Sequence, residues 1–531
     1  MTSPHPGHVF VVKADITALE CDAWLCPTDD RFHVTAGFGR PVGKPEGGLV
    51  AGYRWHSAEL AKIFAPPEDG RPLIVLGRVG RAPARNPREV SALVKALLPV
   101  IDAFVELAIE HCAEPQGRLL RIALPLLGTG EGGLRGAKGD VIRPLLAHLN
   151  KLVRDRGIDL ILCTVNALAW SAVQSARTDD EWRLTSSEER LAASLAAEAR
   201  AGRLVFFIGA GVSRDAGLPD WNGLLNALHR GDISEEEKPT LNNLDPRDHA
   251  MLIELAIGGR AQLLARLAQE VGSYERFGLT HSLLASIGAE QAVTTNYDNL
   301  YERACTRPGD DLDDDLAVLP YGRVAENRPW LLKLHGSLDQ LDREDHIVLT
   351  RPDYMSLARD RSALFGIVQA LLVTKHLLFV GYSLSDEDFH QLVDEIRIAI
   401  GPSNGKDVLG TVVTTAKWPL ARLWDDLLRV EQIGATTELP NRHLQVFLDR
   451  VAHLATPHDA HLLDESFAGL LDSEEGRIAS SLKAVQRVVD DVLKKRPDHI
   501  TAQAVSRALK QFGSPQPTSG LTRESESHDG R

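Results

Sequence analysis

The sequence predicts an α/β protein of more than one domain, and three observations carry that reading. Short apolar runs such as HVFVV, LIVLG, RIALPLL and LVFFI have strand character and lead into glycine- or proline-bearing loops. Between them lie long amphipathic stretches with helical spacing, and strands alternating with helices build α/β layers. At 531 residues the chain exceeds one ordinary core, and a prior of roughly one domain per 150 residues suggests about three.

Element by element, helical periodicity marks VSALVKALLPVIDAFVELAIEH and DVIRPLLAHLNKLVRDRG, with Gly157 as the stop of the second. The polar stretch SARTDDEWRLTSSEER reads as a boundary, and Ser186 with Glu189 has the spacing of a capping box opening LAASLAAEARA. Gly202 ends that helix ahead of LVFFI. Residues from about Leu224 to Glu290 are largely helical by pattern. Amphipathic helices return in HLQVFLDRVAHLA and IASSLKAVQRVVDDVLKK, and the Pro/Ser/charge-rich end has the composition of a disordered tail. The predicted organisation is therefore 1–182, 183–440, 441–512 and a tail over 513–531.

Composition excludes several classes. Lys+Arg 59 against Asp+Glu 73 gives a net charge of −14, which disfavours sequence-independent nucleic-acid binding. Asp310, Asp311, Asp313, Asp314 and Asp315 read as a solvated loop rather than a metal site. Cys21, Cys26, Cys112, Cys163 and Cys305 show no paired C-x-x-C spacing and suit a reducing cytosol. No secretory leader stands at the N-terminus, and the apolar stretch near residues 370–380 is broken by Lys375 and His376. A cytoplasmic protein with no membrane partner and no metal is expected.

The run LVFFIGAGVSRDAGLPDW places Gly209 and Gly211 directly after a strand, with a helix expected to start near Ser213. Such a turn presents backbone N–H groups to an anion, and glycines let the backbone approach a pyrophosphate. The spacing is not the dehydrogenase G-x-G-x-x-G, because position 214 is Arg214; the third glycine is Gly217. GAGVSRDAGLPDW resembles the opening motif of the sirtuin family. Its companions follow in order: AVTTNYDNLYE resembles the T-Q-N-x-D motif, LLKLHGSLD supplies His335 and Gly336, and LLFVGYSLSDEDF supplies Gly381, Ser383 and Asp386. Taken singly, Asn296 suits a turn, His335 a polar residue beside a core and Gly381 a tight bend. The specificity lies in the combination.

The resemblance implies a Rossmann-type sheet with a small helical module and NAD⁺ as substrate. It implies catalysis by Asn296, Asp298 and His335. Asn296 would hold the nicotinamide ribose or a water, Asp298 the adjoining loop or the carboxamide, and His335 would accept a proton, a role that suits histidine because the unperturbed side chain titrates at about 6.5, near working pH. Gly209, Ala210, Gly211, Ser213, Pro219, Asp220, Trp221, Thr295, Gly381, Tyr382 and Ser383 would bind the dinucleotide. Nicotinamide leaves NAD⁺ as a neutral molecule, so cleavage through an oxocarbenium-like state needs a fixed ribose and an oriented nucleophile, not an acid. The zinc module of the deacylases is missing, and Trp221 and Asn222 look like the sirtuin-like branch of bacterial antiviral systems, where water attacks. An NAD⁺ glycohydrolase acting as an abortive-infection effector is the leading expectation. A protein ADP-ribosyltransferase paired with a reader domain, and a non-catalytic NAD or ADP-ribose sensor, stay open beside it.

At the N-terminus, VVKADITALECDAWLCPTDD and RIALPLLGTGEGGLRGAKGDVI resemble the opening and the glycine-rich loop of macro domains, which have a three-layer fold. The resemblance implies a pocket for an ADP-ribose-type nucleotide, with Asp15 and Ile16 near the adenine and Gly128, Thr129, Gly130 and Gly132 along the diphosphate. Cys26, Pro27, Thr28 and Asp29 stand where that family has an asparagine-rich loop, which makes binding the better expectation than hydrolysis. Such a domain would gate the catalytic one. A switch from roughly 1:99 to 99:1 requires about 5.5 kcal/mol of differential binding, which a homo-oligomer can gather over several sites.

Overall fold

The computed structural model describes residues 5–67, 71–80, 83–130, 133–229, 241, 243–306, 316–326, 328–340, 346–384, 387–401 and 408–513. The acidic run at 310–315 and the tail beyond Gly513 lie outside them.

Two sheets organise the chain. The first holds β1 (Val9–Lys13), β2 (Ala23–Thr28), β5 (Ala61–Ala65), β6 (Leu73–Arg78), β7 (Arg121–Pro125) and β8 (Asp159–Thr164), in the order β1-β8-β7-β2-β6-β5. All pair in parallel except β5, and a small hairpin of β3 (His33–Val34) and β4 (Gly48–Leu49) stands apart. Helix Pro87–His111 lies on β5 and β6, and helices Lys138–Arg156 and Ala167–Ser175 lie on β1 and β8. Asn86 caps the first helix through the amides of Arg88 and Glu89, and Gly157 closes the second in the left-handed region at φ 64°.

The second sheet is entirely parallel: β9 (Leu204–Ile208), β10 (Gln291–Thr294), β11 (Ala317–Leu319), β12 (Trp330–Lys333), β13 (His376–Val380), β14 (Gly410–Thr414) and β15 (Leu428–Gln432), ordered β11-β12-β10-β9-β13-β14-β15. Strands buried on both faces read as unbroken apolar runs, which is why LVFFI and HLLFV stood out. Phe207, Phe379, Tyr382 and Phe389 form an aromatic cluster on the sheet. The order reverses between β9 and β13. Ligands of open α/β sheets bind outside the strands' carboxyl ends at such a switch point.

Two local expectations shift. The capping box before the helix Ser186–Arg200 is formed by Thr185 and Glu188, one residue earlier than the spacing of Ser186 and Glu189 suggested. The polar stretch expected to be a boundary is buried at Arg177 and Trp182, because Glu181 and a carboxylate 272 residues away together neutralise the guanidinium. Asp449, on the helix Pro440–Ala455, accepts from Arg177 (2.8 Å), His8 Nε2 (2.9 Å) and Trp182 Nε1 (2.8 Å). The same helix packs on Ser186–Arg200 and on Leu279–Ile287, which in turn meets β1. The sequence from residue 440 thus closes the junction between the two sheets.

This junction makes stability acid-sensitive. Burial pushes the Asp449 carboxyl up, but Arg177 and His8 reverse this and hold it far below the usual range. Burial, aided by Arg177, lowers buried His453 to about 3. Ionised Asp449 and neutral His453 both favour the folded state near neutrality, and the histidine contribution is lost as pH falls from about 6.5 through 3. Denaturant midpoints measured over that range are expected to fall steadily, and His453→Gln should make the slope shallower. Asp449→Ala, which strands a buried guanidinium, should cost about 3–5 kcal/mol in the same assay.

Candidate active site

Four adjacent parallel strands, β12, β10, β9 and β13, end in the four loops singled out from sequence. Ile208 pairs with Thr294 and with Val380, and Thr294 pairs with Lys333. Asn296 and His335 therefore stand at the same level, two residues beyond neighbouring strand ends. At the rim, Ala210, Gly211, Asp220, Gly381 and Ser383 are exposed, Pro219, Trp221, Thr295, Asp298 and Tyr382 are half-buried, and Gly209, Ser213, Asn296 and His335 are buried. The topology brings the expected residues to one edge; Asp386 lies outside the described residues.

The glycines answer to a constraint the sequence did not reveal. Gly209 donates its N–H to Val380 O (3.0 Å) and Gly211 to Gly381 O (2.9 Å). A Cβ at 209 would sit 2.4 Å from Gly381 O, one at 211 would sit 2.7 Å from Gly381 Cα, and one at 381 would sit 2.5 Å from Val212 N. Gly381 also has φ 65°. The two loops are seated backbone to backbone at the switch point, so these glycines are required by each other before any ligand is considered.

The helix expected near Ser213 begins earlier, at Ala210, and Ser213 is its last residue. Nor is its hydroxyl free to serve a ligand's anion, because the anion it faces is the protein's own Asp298 carboxylate. It gives its single hydrogen to Asp298 Oδ2 (2.8 Å) and accepts from Asn296 Nδ2 (3.0 Å). His281 Nε2 lies 3.4 Å away. Burial lowers the His281 pKa, and its Nδ1 accepts from Gly278 N–H (3.2 Å), so the hydrogen resides on Nε2 and points at Ser213. The hydroxyl is saturated. It fixes Asn296, whose other amide hydrogen goes to Gly209 O (3.3 Å), leaving the Asn296 amide oxygen as the acceptor. Asp298 Oδ1 accepts from Leu300 N, so this carboxylate holds its own loop.

Around this triad, Asp220 caps the helix Trp221–Leu228 through Gly223 N, and Trp221 approaches Tyr297 at 6.4 Å between ring centroids. The ring of Tyr382 is half-buried against the aromatic cluster, 4.6 Å from that of Phe207. His335 meets Tyr354 edge to face at 5.3 Å, and Gly336, at φ 97°, packs against His346 O. Sequence reasoning missed His281, Glu302 and Lys333. A solitary lysine ending the apolar run LLK was the available signal for the last of these.

The first sheet carries a cleft of about 430 Å³ lined by Asp15, Ile16, Gly128, Thr129, Gly130 and Asn166, among others; Gly132 lies outside the described residues. That volume is within the range of small-ligand sites. Asp15 Oδ1 caps Thr17, Thr129 Oγ1 donates to Leu126 O, and Asp29 is taken by the amides of Arg31 and His33. Cys26 is buried in β2, and burial raises its thiol pKa. The sheet that carries this cleft is tied to the segment after the glycine loop. Arg121, at the start of β7, pairs with Asp215 (3.0 Å), two residues after Ser213, and bonds Gln445 (2.9 Å). Burial raises the Asp215 carboxyl, but Arg121 and the Thr280 amide bring it down to about 2.

Gly381→Ala and Gly209→Ala each force a Cβ into the facing backbone, and each should lower the melting temperature, with a cost of about 1–3 kcal/mol. Thermal melts check this.

A family model for the SIR2-like domain matches residues 290–420, from β10 through β14. Defense-associated sirtuin 2 of Bacillus subtilis is 25% identical over 206 residues, 37% of this chain and 20% of that protein. NAD(+) hydrolase ThsA of Cytobacillus dafuensis is 28% identical over 202 residues (37% of this chain, 38% of the relative), and ThsA of Enterococcus faecium is 29% identical over 208 residues (37% and 40%). The chain thus matches between a fifth and two-fifths of the length of these relatives. Among the described residues, no group of three or more His, Cys, Asp or Glu is disposed to hold a metal ion, and no helix is long and apolar enough to cross a membrane. With the four loops in register and these relatives aligned, the chain carries a SIR2-like domain.

Proposed function

We propose that this protein hydrolyses NAD⁺ to nicotinamide and ADP-ribose as an anti-phage effector. The observation that carries the reading is the common level of Asn296 and His335 beyond adjacent strands, beside the paired glycine loops. Relatives named as NAD(+) hydrolases and as a defense-associated sirtuin support the activity and the setting.

The site residues fit the reaction. Both Asn296 amide hydrogens are engaged, so its oxygen is presented to the attacking water or to a ribose hydroxyl. His335 accepts the proton that this water or hydroxyl releases. Nicotinamide departs neutral, so a fixed geometry matters more than a proton donor. Asp298 acts on the loop, through Ser213 and Leu300, more than on the substrate.

The first-sheet cleft is proposed to bind an ADP-ribose-type nucleotide and to gate this activity. Support comes from its size, its glycine loop and a physical route: β7 leads to that loop at one end and holds Asp215 of the glycine turn through Arg121 at the other. Assembly into a homo-oligomer, which would gather gating energy over several sites, belongs to the same proposal.

Asn296→Ala and His335→Ala are expected to lower nicotinamide release at least about 100-fold while leaving circular dichroism and melting temperature near wild type. Mass spectrometry of NAD⁺ reactions reads the outcome. Label retained on protein would support transfer in place of hydrolysis, and ligand binding without nicotinamide release a sensor. Adding ADP-ribose to the reaction should change the rate of NAD⁺ loss, and no response would count against the gate.

A further inference from the structure

We infer that Lys333 is a positioning residue that sets the spacing between Asn296 and His335, an inference that rests on the proposed NAD⁺ hydrolysis. Lys333 ends β12 and is fully buried. An ammonium has three hydrogens and is tolerated in a core only when all are matched. Here they are: Nζ donates to Asp298 O (2.6 Å), to Glu302 Oε1 (2.7 Å) and to Ser337 Oγ (3.2 Å), with Tyr297 O at 3.5 Å.

The partners explain the position. Asp298 O and Tyr297 O belong to the two residues that follow Asn296, while Lys333 and Ser337 flank His335 by two residues on either side. One cation therefore ties the backbone behind the asparagine to the segment that presents the histidine. Leu338 N to Tyr297 O (3.0 Å) and Asn299 Nδ2 to Asp339 (3.0 Å) stitch the same two loops further out. Glu302, on the helix Leu300–Cys305 that directly follows the asparagine loop, supplies the counter-charge. An apolar side chain would fill this space equally well. What it could not do is hold two carbonyl-bearing turns at a fixed separation by direct bonds, and a misplacement of 1 Å can cost about 100-fold in rate.

Lys333→Met alone strands a buried carboxylate and threatens the fold, so the deciding variant is Lys333→Met with Glu302→Gln, which removes both charges. Wild-type NAD⁺ turnover is measured first, and its absence overturns the hydrolase reading rather than this one. The double variant is expected to melt within a few degrees of wild type, to keep KM for NAD⁺ within about threefold, and to lose about 10- to 100-fold in kcat. Recovery of kcat along with stability would overturn the inference. If the double variant does not fold, Ser337→Ala, which removes one acceptor, decides: a kcat about threefold lower at unchanged KM supports the role, and wild-type kcat overturns it. Independently of turnover, hydrogen exchange by mass spectrometry should show faster exchange at 295–300 and 334–338 in whichever variant folds; unchanged protection there also overturns it.

Discussion

The close seating of two glycine turns at the point where the strand order reverses is the constraint on which the catalytic half depends. β9 and β13 are neighbours in the sheet although paired residues such as Ile208 and Val380 stand 172 positions apart (380 − 208), and their loops cross with main chain against main chain. Side chains at 209, 211 or 381 would push the turns apart. With the turns together, the short helix Ala210–Ser213 is placed so that the Ser213 hydroxyl reaches both Asn296 and Asp298. The geometry of the asparagine is thus inherited from a backbone contact that involves no functional group at all.

A second organising feature is the use of buried charge where an α/β layer usually offers apolar packing. Asp449 with Arg177 at the junction, Arg121 with Asp215 behind the glycine turn and Lys333 with Glu302 beneath the asparagine are three separate ion pairs, each with further hydrogen bonds. Such pairs are not an economical source of stability, since desolvation opposes them. They are directional, however, and each joins segments distant in sequence. Packing alone is more tolerant of small displacements.

The architecture was legible where local rules act. Apolar strands, the helix ended by Gly157 and the four strand-end motifs followed from periodicity and turn chemistry, and parallel pairing then put the motifs on one edge. What could not be read was anything decided by a remote partner. The polar stretch around Arg177 looked solvated because Asp449, which joins Glu181 in neutralising it, is 272 residues away. Gly209 and Gly211 looked like a bare anion cradle because Gly381, which fills the space beside them, sits in another motif. Ser213 looked like a free donor because its three partners, His281, Asn296 and Asp298, come from two other segments. Local chemistry names the residues; topology assigns their partners.

The hub at Asp449 has a consequence for biosynthesis. Arg177 and His8 emerge from the ribosome long before the carboxylate that bonds them both, and 272 residues separate Arg177 from it. At roughly 5–20 residues per second the nascent chain waits about 14–54 s for this second carboxylate, with Glu181 as the counter-charge already at hand for Arg177. The first sheet can collapse in that interval, but β1 gains its contact with the helix Pro440–Ala455 only when that helix arrives. Closure of the junction between the two sheets is therefore a late event, and a chain interrupted before residue 449 leaves the ribosome with its central joint open.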